Sequence, residues 1–144
     1  MTMAMLLNLV ISTAMVLFTV MLHGLGMALL GRLLRNEVQD ERAMHLPALS
    51  PRNLAFTLIT VLALFFLHGL EIWSYALLYL ANGAIRSLEV AVYFSTISYA
   101  AIGYSDHYIQ PGWRLVAGIE GINGLLLLGW STAFFVTMVA RLGR

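Results

Sequence analysis

Hydrophobic residues fall into three runs that are each long enough to cross a bilayer, and a shorter run lies between the second and the third. The long runs cover residues 5–30, 54–80 and 113–142. At 1.5 Å per helical residue the shortest reaches about 39 Å, whereas the hydrocarbon core is about 30 Å thick. A secretory signal fits the first run poorly, because no Lys or Arg precedes it and it is too long. The pattern therefore predicts three transmembrane helices.

The shorter run, residues 88–98, would be only about 16 Å long as a helix, which is half a membrane. It leads into the sequence Ala-Ala-Ile-Gly-Tyr-Ser-Asp at residues 100–106. Non-helical backbone at membrane depth is tolerated only where protein buries it or water lines it. A half-helix with such a loop, flanked by spanning helices, predicts a re-entrant segment that lines a pore.

The composition supports an all-α membrane protein. Of the 144 residues 60% are hydrophobic and 10% are charged, with a mean hydropathy of +0.85, whereas a soluble domain carries about 25% charged residues. A net charge of +1 gives no sign of a nucleic-acid partner. The absence of Cys excludes disulfides and thiolate metal sites. No nucleophile–base pair or phosphate loop is present, so we expect no enzyme, no cofactor and no small-molecule substrate.

Arginine residues predict the orientation in the membrane. Four of the eight lie in residues 31–53, and Arg141 and Arg144 lie at the C-terminus. Positive charge marks the cytoplasmic side, so we expect the N-terminus and the re-entrant segment outside and the C-terminus in the cytoplasm. The predicted organisation is a first helix at 1–30, a charged cytoplasmic linker at 31–53, in which prolines end any helix, and a third region at 54–144.

The third region resembles the pore domain of potassium channels, in which an outer helix, a pore helix, a filter and an inner helix follow one another. The filter of that family reads Thr-Val-Gly-Tyr-Gly-Asp, and residues 101–106 read Ala-Ile-Gly-Tyr-Ser-Asp. Ala101 and Ser105 are the departures. Residues 129–134 are similar to bacterial members of the superfamily, so the resemblance implies a bacterial inner membrane. The first helix is an addition to the minimal two-helix channels.

The resemblance implies a homotetramer in a lipid bilayer, because a ring of backbone carbonyls that replaces an ion's hydration shell needs several copies. The implied function is passive conduction of potassium or other monovalent cations, with selectivity relaxed by the two departures; a non-conducting or regulatory subunit that keeps the fold is the alternative. The implied site residues are the filter positions Ala101, Ile102, Gly103, Tyr104 and Ser105, the outer-mouth Asp106, the bracing Tyr93, and Gly124 and Gly129 as the gating hinge.

Two glutamates in the predicted spans, Glu71 and Glu120, are expected to support the filter. They lie about 13 Å and about 10 Å from the outer helix ends, level with the pore helix. Either they form a protonatable pair that tunes the filter with pH, or they are hydrogen-bonded links between the helices. His68 lies one turn from Glu71, but a metal site from His68, Glu71 and Glu120 matches no familiar ligand spacing. His23 lies nearer the inner end than His68, and we expect the two histidines not to meet.

Overall fold

The computed structural model describes the backbone of residues 3–43, 50–103, 105 and 107–142, and their side chains except those of residues 36–43 and 141–142. The described chain is helical, with α1 at Met3–Ala43, α2 at Pro51–Ala81, α3 at Leu88–Tyr99 and α4 at Arg114–Leu142, preceded by a short 3-10 turn at Pro111–Trp113. Among the described residues, three segments are long and apolar enough to cross a membrane: Met3–Arg35, Pro51–Ala81 and Pro111–Ala140. The prediction of an all-α membrane fold with three spanning helices and a half-length helix is confirmed.

The first helix is longer than its apolar run. It continues beyond residue 30, through Arg32 and Arg35, and ends at Ala43. Residues 31–43 contain no Pro and are rich in Leu, Arg, Glu and Gln, which favour helix. The stretch predicted as a charged linker therefore begins as a helical extension of α1.

Local signals set the two ends of α2. The Ser50 side chain accepts a hydrogen bond from the Asn53 backbone N–H at 3.2 Å, and Pro51 occupies the first helical turn, two features that favour a helix start. At the other end Asn82 caps the helix and Gly83 follows with a φ of 67°. This left-handed conformation is open to glycine at little cost and turns the chain towards α3.

The half-length helix α3 packs between α2 and α4. Tyr75 and Tyr79 from α2, Phe94 from α3 and Val116 from α4 are fully buried there. The outward faces of the spanning helices carry exposed apolar side chains such as Phe65. The core thus fixes α3 at the depth of the spans, while the outer faces suit lipid or another copy of the chain.

Candidate pore loop and the buried network behind it

The chain leaves α3 through a tight turn. The backbone N–H of Ala101 donates to the Ser98 carbonyl, and that of Ile102 donates to the Ile97 carbonyl, both at 3.0 Å. Ala101 has a φ of 54° and Gly103 a φ of 116°. Left-handed backbone costs a residue with a Cβ about 1–2 kcal/mol. The loop therefore keeps a strained conformation at Ala101, the first of the two positions that depart from the potassium-channel filter.

The loop residues that the structure describes are open in a single chain. Ala101, Ile102, Gly103 and Ser105 are all exposed, and Ile102 keeps 75% of its surface. Tyr104 and Asp106 lie outside the described residues. A ring of carbonyls would need several copies, so the ion-binding roles stay predictions.

The chain that returns from the loop is anchored to the turn between α2 and α3. The Gln110 backbone N–H donates to the Ala84 carbonyl at 3.1 Å, and its side-chain amide donates to the Gly83 carbonyl at 2.9 Å. Tyr93 is half exposed, and its ring meets that of Tyr108 edge-on, with centroids 5.9 Å apart. Tyr93 thus contacts the returning chain, and its bracing of the filter stays a prediction.

A buried polar cluster joins all four helices around Glu71. One carboxyl oxygen, Oε1, lies 2.9 Å from Nδ1 of His23 in α1. The other, Oε2, lies 3.2 Å from Nδ1 of His68 and accepts a hydrogen bond from the Tyr99 hydroxyl at the end of α3. Ser131 Oγ of α4 lies 2.9 Å from His68 Nε2 and 3.3 Å from His23 Nε2. We call these five residues the Glu71 cluster.

The expectation that His23 and His68 do not meet was wrong. Their ring centroids are 5.3 Å apart, and both face Glu71. The first apolar run ends at residue 30, which would put His23 only about 10 Å from the inner end, but the spanning part of α1 reaches Arg35. Counted from Arg35, His23 lies about 18 Å from the inner end, much closer to the level of His68.

Glu120 has a separate set of partners and is fully buried. Tyr79 donates to its Oε2 at 2.6 Å, and Ser95 Oγ contacts its Oε1. Ser95 Oγ also lies 2.9 Å from the Ile72 carbonyl, and its single hydrogen serves only one of these two oxygens. If the Glu120 carboxyl carries a proton, it donates to Ser95, Ser95 donates to Ile72, and every group is satisfied.

The two glutamates therefore bond to different side chains. Glu71 connects α2 with α1 and α3, and Glu120 connects α4 with α2 and α3. This is the arrangement that the interpretation as hydrogen-bonded links describes. An effect of either carboxyl on the filter stays a prediction.

The glycines of α4 differ in their surroundings. A Cβ on Gly124 would lie 2.1 Å from the Tyr99 carbonyl oxygen, so this glycine lets the inner helix touch the end of α3. Gly129 is exposed, and a Cβ there would meet no described heavy atom within 4 Å. The structure thus gives Gly124 a packing role, and a hinge at either glycine stays a prediction.

The contacts of α1 with the other helices were not predicted from the sequence. Asn123 Nδ2 of α4 donates to Thr19 Oγ1 at 2.8 Å, and Thr19 and His23 are fully buried. Ser12, Thr19 and His23 recur at seven and four residues, which places them on one face of a helix. Polar side chains on one face of an apolar helix indicate that this face packs against protein, so the sequence did contain a signal for these contacts.

A half-length helix held between two spanning helices, with an exposed and partly left-handed loop at its end, defines an all-helical membrane protein of the pore-loop class. A family model described as an ion channel matches residues 54–141, from the outer to the inner helix. The chain belongs to this ion-channel family, the pore-domain superfamily that its sequence resembles. No curated protein and no solved structure matches it.

Proposed function

We propose that the chain forms a homotetrameric channel in which residues 101–105 of four copies line an axial filter for monovalent cations. The observation that carries this proposal is the contrast between α3 and its loop. The end of α3 is bonded to the Glu71 cluster and pressed against Gly124, whereas Ala101 and Ile102 just beyond it are exposed. The loop is therefore held in place by α3, but the rest of the described chain does not cover it. Such an exposed loop suits contact with other copies of the chain.

The electrostatics of α3 favour a cation. The C-terminal end of a helix carries a partial negative charge of about half a unit, and in α3 this end leads directly into the loop. Backbone carbonyls from four copies would replace the hydration shell of the ion. Passive conduction of potassium and related monovalent cations follows from this arrangement.

We propose a weaker preference for potassium over sodium than that of the family's Thr-containing filter. Ala101 supplies a carbonyl but no hydroxyl, so the innermost site has four fewer oxygens than a filter with Thr at this place. Fewer oxygen ligands reduce the advantage of potassium over sodium when selectivity depends on ligand number.

The proposed orientation puts the loop outside and the C-terminus in the cytoplasm, in a bacterial inner membrane. It rests on the four arginines of residues 31–53, at the end of α1 and the start of α2, and on those of the C-terminus. Cysteine accessibility in intact cells tests it directly, since the chain contains no native Cys: a cysteine in place of exposed His107 should react with an impermeant reagent added outside.

Cation flux into liposomes tests the proposed function. Purified protein is reconstituted, its subunit number is measured by native mass spectrometry, and potassium, sodium and caesium fluxes are compared. We expect tetramers that pass all three ions, potassium fastest. Intact tetramers without any flux would instead support the alternative of a non-conducting or regulatory subunit.

A matched pair of glycine variants locates the conduction path. Gly103 and Gly83 both have positive φ, and a Cβ on either meets no described heavy atom within 4 Å. Alanine strains the backbone at both positions, and more at Gly103, because a φ of 116° lies outside the left-handed well near 60°. Melting temperatures of the two variants separate this strain from an effect on flux. We expect Gly103→Ala to reduce flux or alter the ion ratio and Gly83→Ala to leave both unchanged. Equal effects would show that ions do not pass along this loop.

A further inference from the structure

The Glu71 cluster contains the donor set of a divalent metal site. His23, His68 and Glu71 each offer one ligand atom, and these atoms lie within 4.8 Å of one another. Two imidazoles and one carboxylate are a familiar three-residue ligand set for zinc. Both His rings direct Nδ1 towards the same carboxyl group, so the three ligands converge from α1 and α2.

The spacing of the ligand atoms suits a tetrahedral ion. Ligands about 2.1 Å from a tetrahedral zinc are about 3.4 Å from one another. The Nδ1 atoms of His23 and His68 lie 2.9 and 3.2 Å from the Glu71 oxygens. Because His23 faces Oε1 and His68 faces Oε2, one ion between the two nitrogens requires coordination by both carboxyl oxygens or a rotated carboxyl group.

The residues around the ligands supply the support that metal sites require. Ser131 Oγ lies within hydrogen-bond distance of Nε2 of both histidines, which fixes their rings with Nδ1 inward. The Tyr99 oxygen is 3.0 Å from His68 Nδ1 and is hydrogen-bonded to Glu71. The Tyr99 hydroxyl thus orients the Glu71 carboxylate from the end of α3.

We propose that His23, His68 and Glu71 bind a divalent transition-metal ion of the zinc class within the membrane span, with the fourth coordination position left to a water molecule. The ion would cross-link α1 to α2. The His68 side chain is 12% exposed, whereas those of Glu71 and His23 are fully buried, so His68 is the most accessible of the three ligands. This site is separate from the loop, and its existence does not depend on conduction.

Metal binding by the purified, untagged full-length protein tests the site. Protein in lipid nanodiscs is incubated with Zn²⁺ or Co²⁺, passed through a desalting column and analysed for metal by mass spectrometry. We expect one ion per chain and the intense visible bands of tetrahedral Co²⁺, bleached by Zn²⁺. Absence of both the bound ion and the tetrahedral bands in the wild-type protein would overturn the proposal.

Single variants connect the ion to its ligands. We expect His23→Gln, His68→Gln and Glu71→Gln each to remove the tetrahedral Co²⁺ spectrum, and exposed His107→Gln to retain it. Ser131→Ala should weaken binding by about tenfold, because it removes a group that orients the ligands. Elution volume and melting temperature identify variants that fail to fold. If the ligand variants do not fold, the wild-type Co²⁺ spectrum and the affinity of Ser131→Ala for the metal decide whether the site exists. Wild-type binding in all the folded ligand variants would exclude this site.

Discussion

Replacement of Gly124 by Ala should loosen the contact between the inner helix and the end of α3. The new Cβ would lie 2.1 Å from the Tyr99 carbonyl oxygen and 2.8 Å from its carbonyl carbon, both backbone atoms that cannot rotate away. Ordinary contact begins near 3.4 Å, so α3 and α4 would have to separate by roughly 1.3 Å. Overpacking of this kind costs about 1–3 kcal/mol. We therefore expect Gly124→Ala to unfold more easily and to displace the start of the loop.

Other α4 glycines provide a graded control for this prediction. A Cβ on Gly121 would lie 3.1 Å from the Ser98 carbonyl oxygen, whereas Gly118 and Gly129 have no described heavy atom within that reach of 4 Å. Alanine at the latter two should stabilise the helix by about 0.5–1 kcal/mol. The melting temperatures of the four variants are measured in one detergent and ranked, and cation flux is measured in parallel. A Gly124→Ala protein that melts at or above Gly129→Ala would refute the close-contact reasoning.

Three further predictions concern the buried groups and the loop. Glu120→Gln should stay within about 1 kcal/mol of wild-type stability, because an amide can replace a protonated carboxyl, whereas Glu120→Ala should cost about 2–3 kcal/mol; equal thermal destabilisation would contradict the hydrogen count. Tyr99→Phe should lose about 1–3 kcal/mol in the same melting assay, since it removes a buried hydrogen bond to Glu71, and half-exposed Tyr93→Phe should lose almost nothing. Ala101→Gly should raise the melting temperature through relief of about 1 kcal/mol of backbone strain, and an unchanged or lower value would count against a left-handed Ala101.

The helices followed from the sequence because their physical causes are local. Bilayer thickness sets the minimum length of an apolar run, and this predicted the three spans. Asn82 and Gly83 interrupt the second run, and the structure ends α2 beside them. For α3 the predicted end at residue 98 differs from the observed end at Tyr99 by a single residue.

The Glu71 cluster could be predicted only in part, because it depends on how separate helices are rotated and offset. The contact between His68 and Glu71 follows from their spacing of three residues within one helix. The position of His23 beside Glu71 depends on how far α1 extends. The charged residues after residue 30 gave no sign that the helix continues to Ala43. Ser131 and Tyr99 come from two further helices, and no local pattern relates them to Glu71.

The pairing of His23 with Glu71 has a consequence for biosynthesis. A carboxyl group within α2 is costly to place among lipid tails, and in the folded protein one of its partners belongs to α1. Translation delivers α1 first, so a helix with a ready hydrogen-bonding face is already present when Glu71 leaves the ribosome. We therefore expect α1 to favour the insertion of α2, because the donor of this hydrogen bond is synthesised before its acceptor.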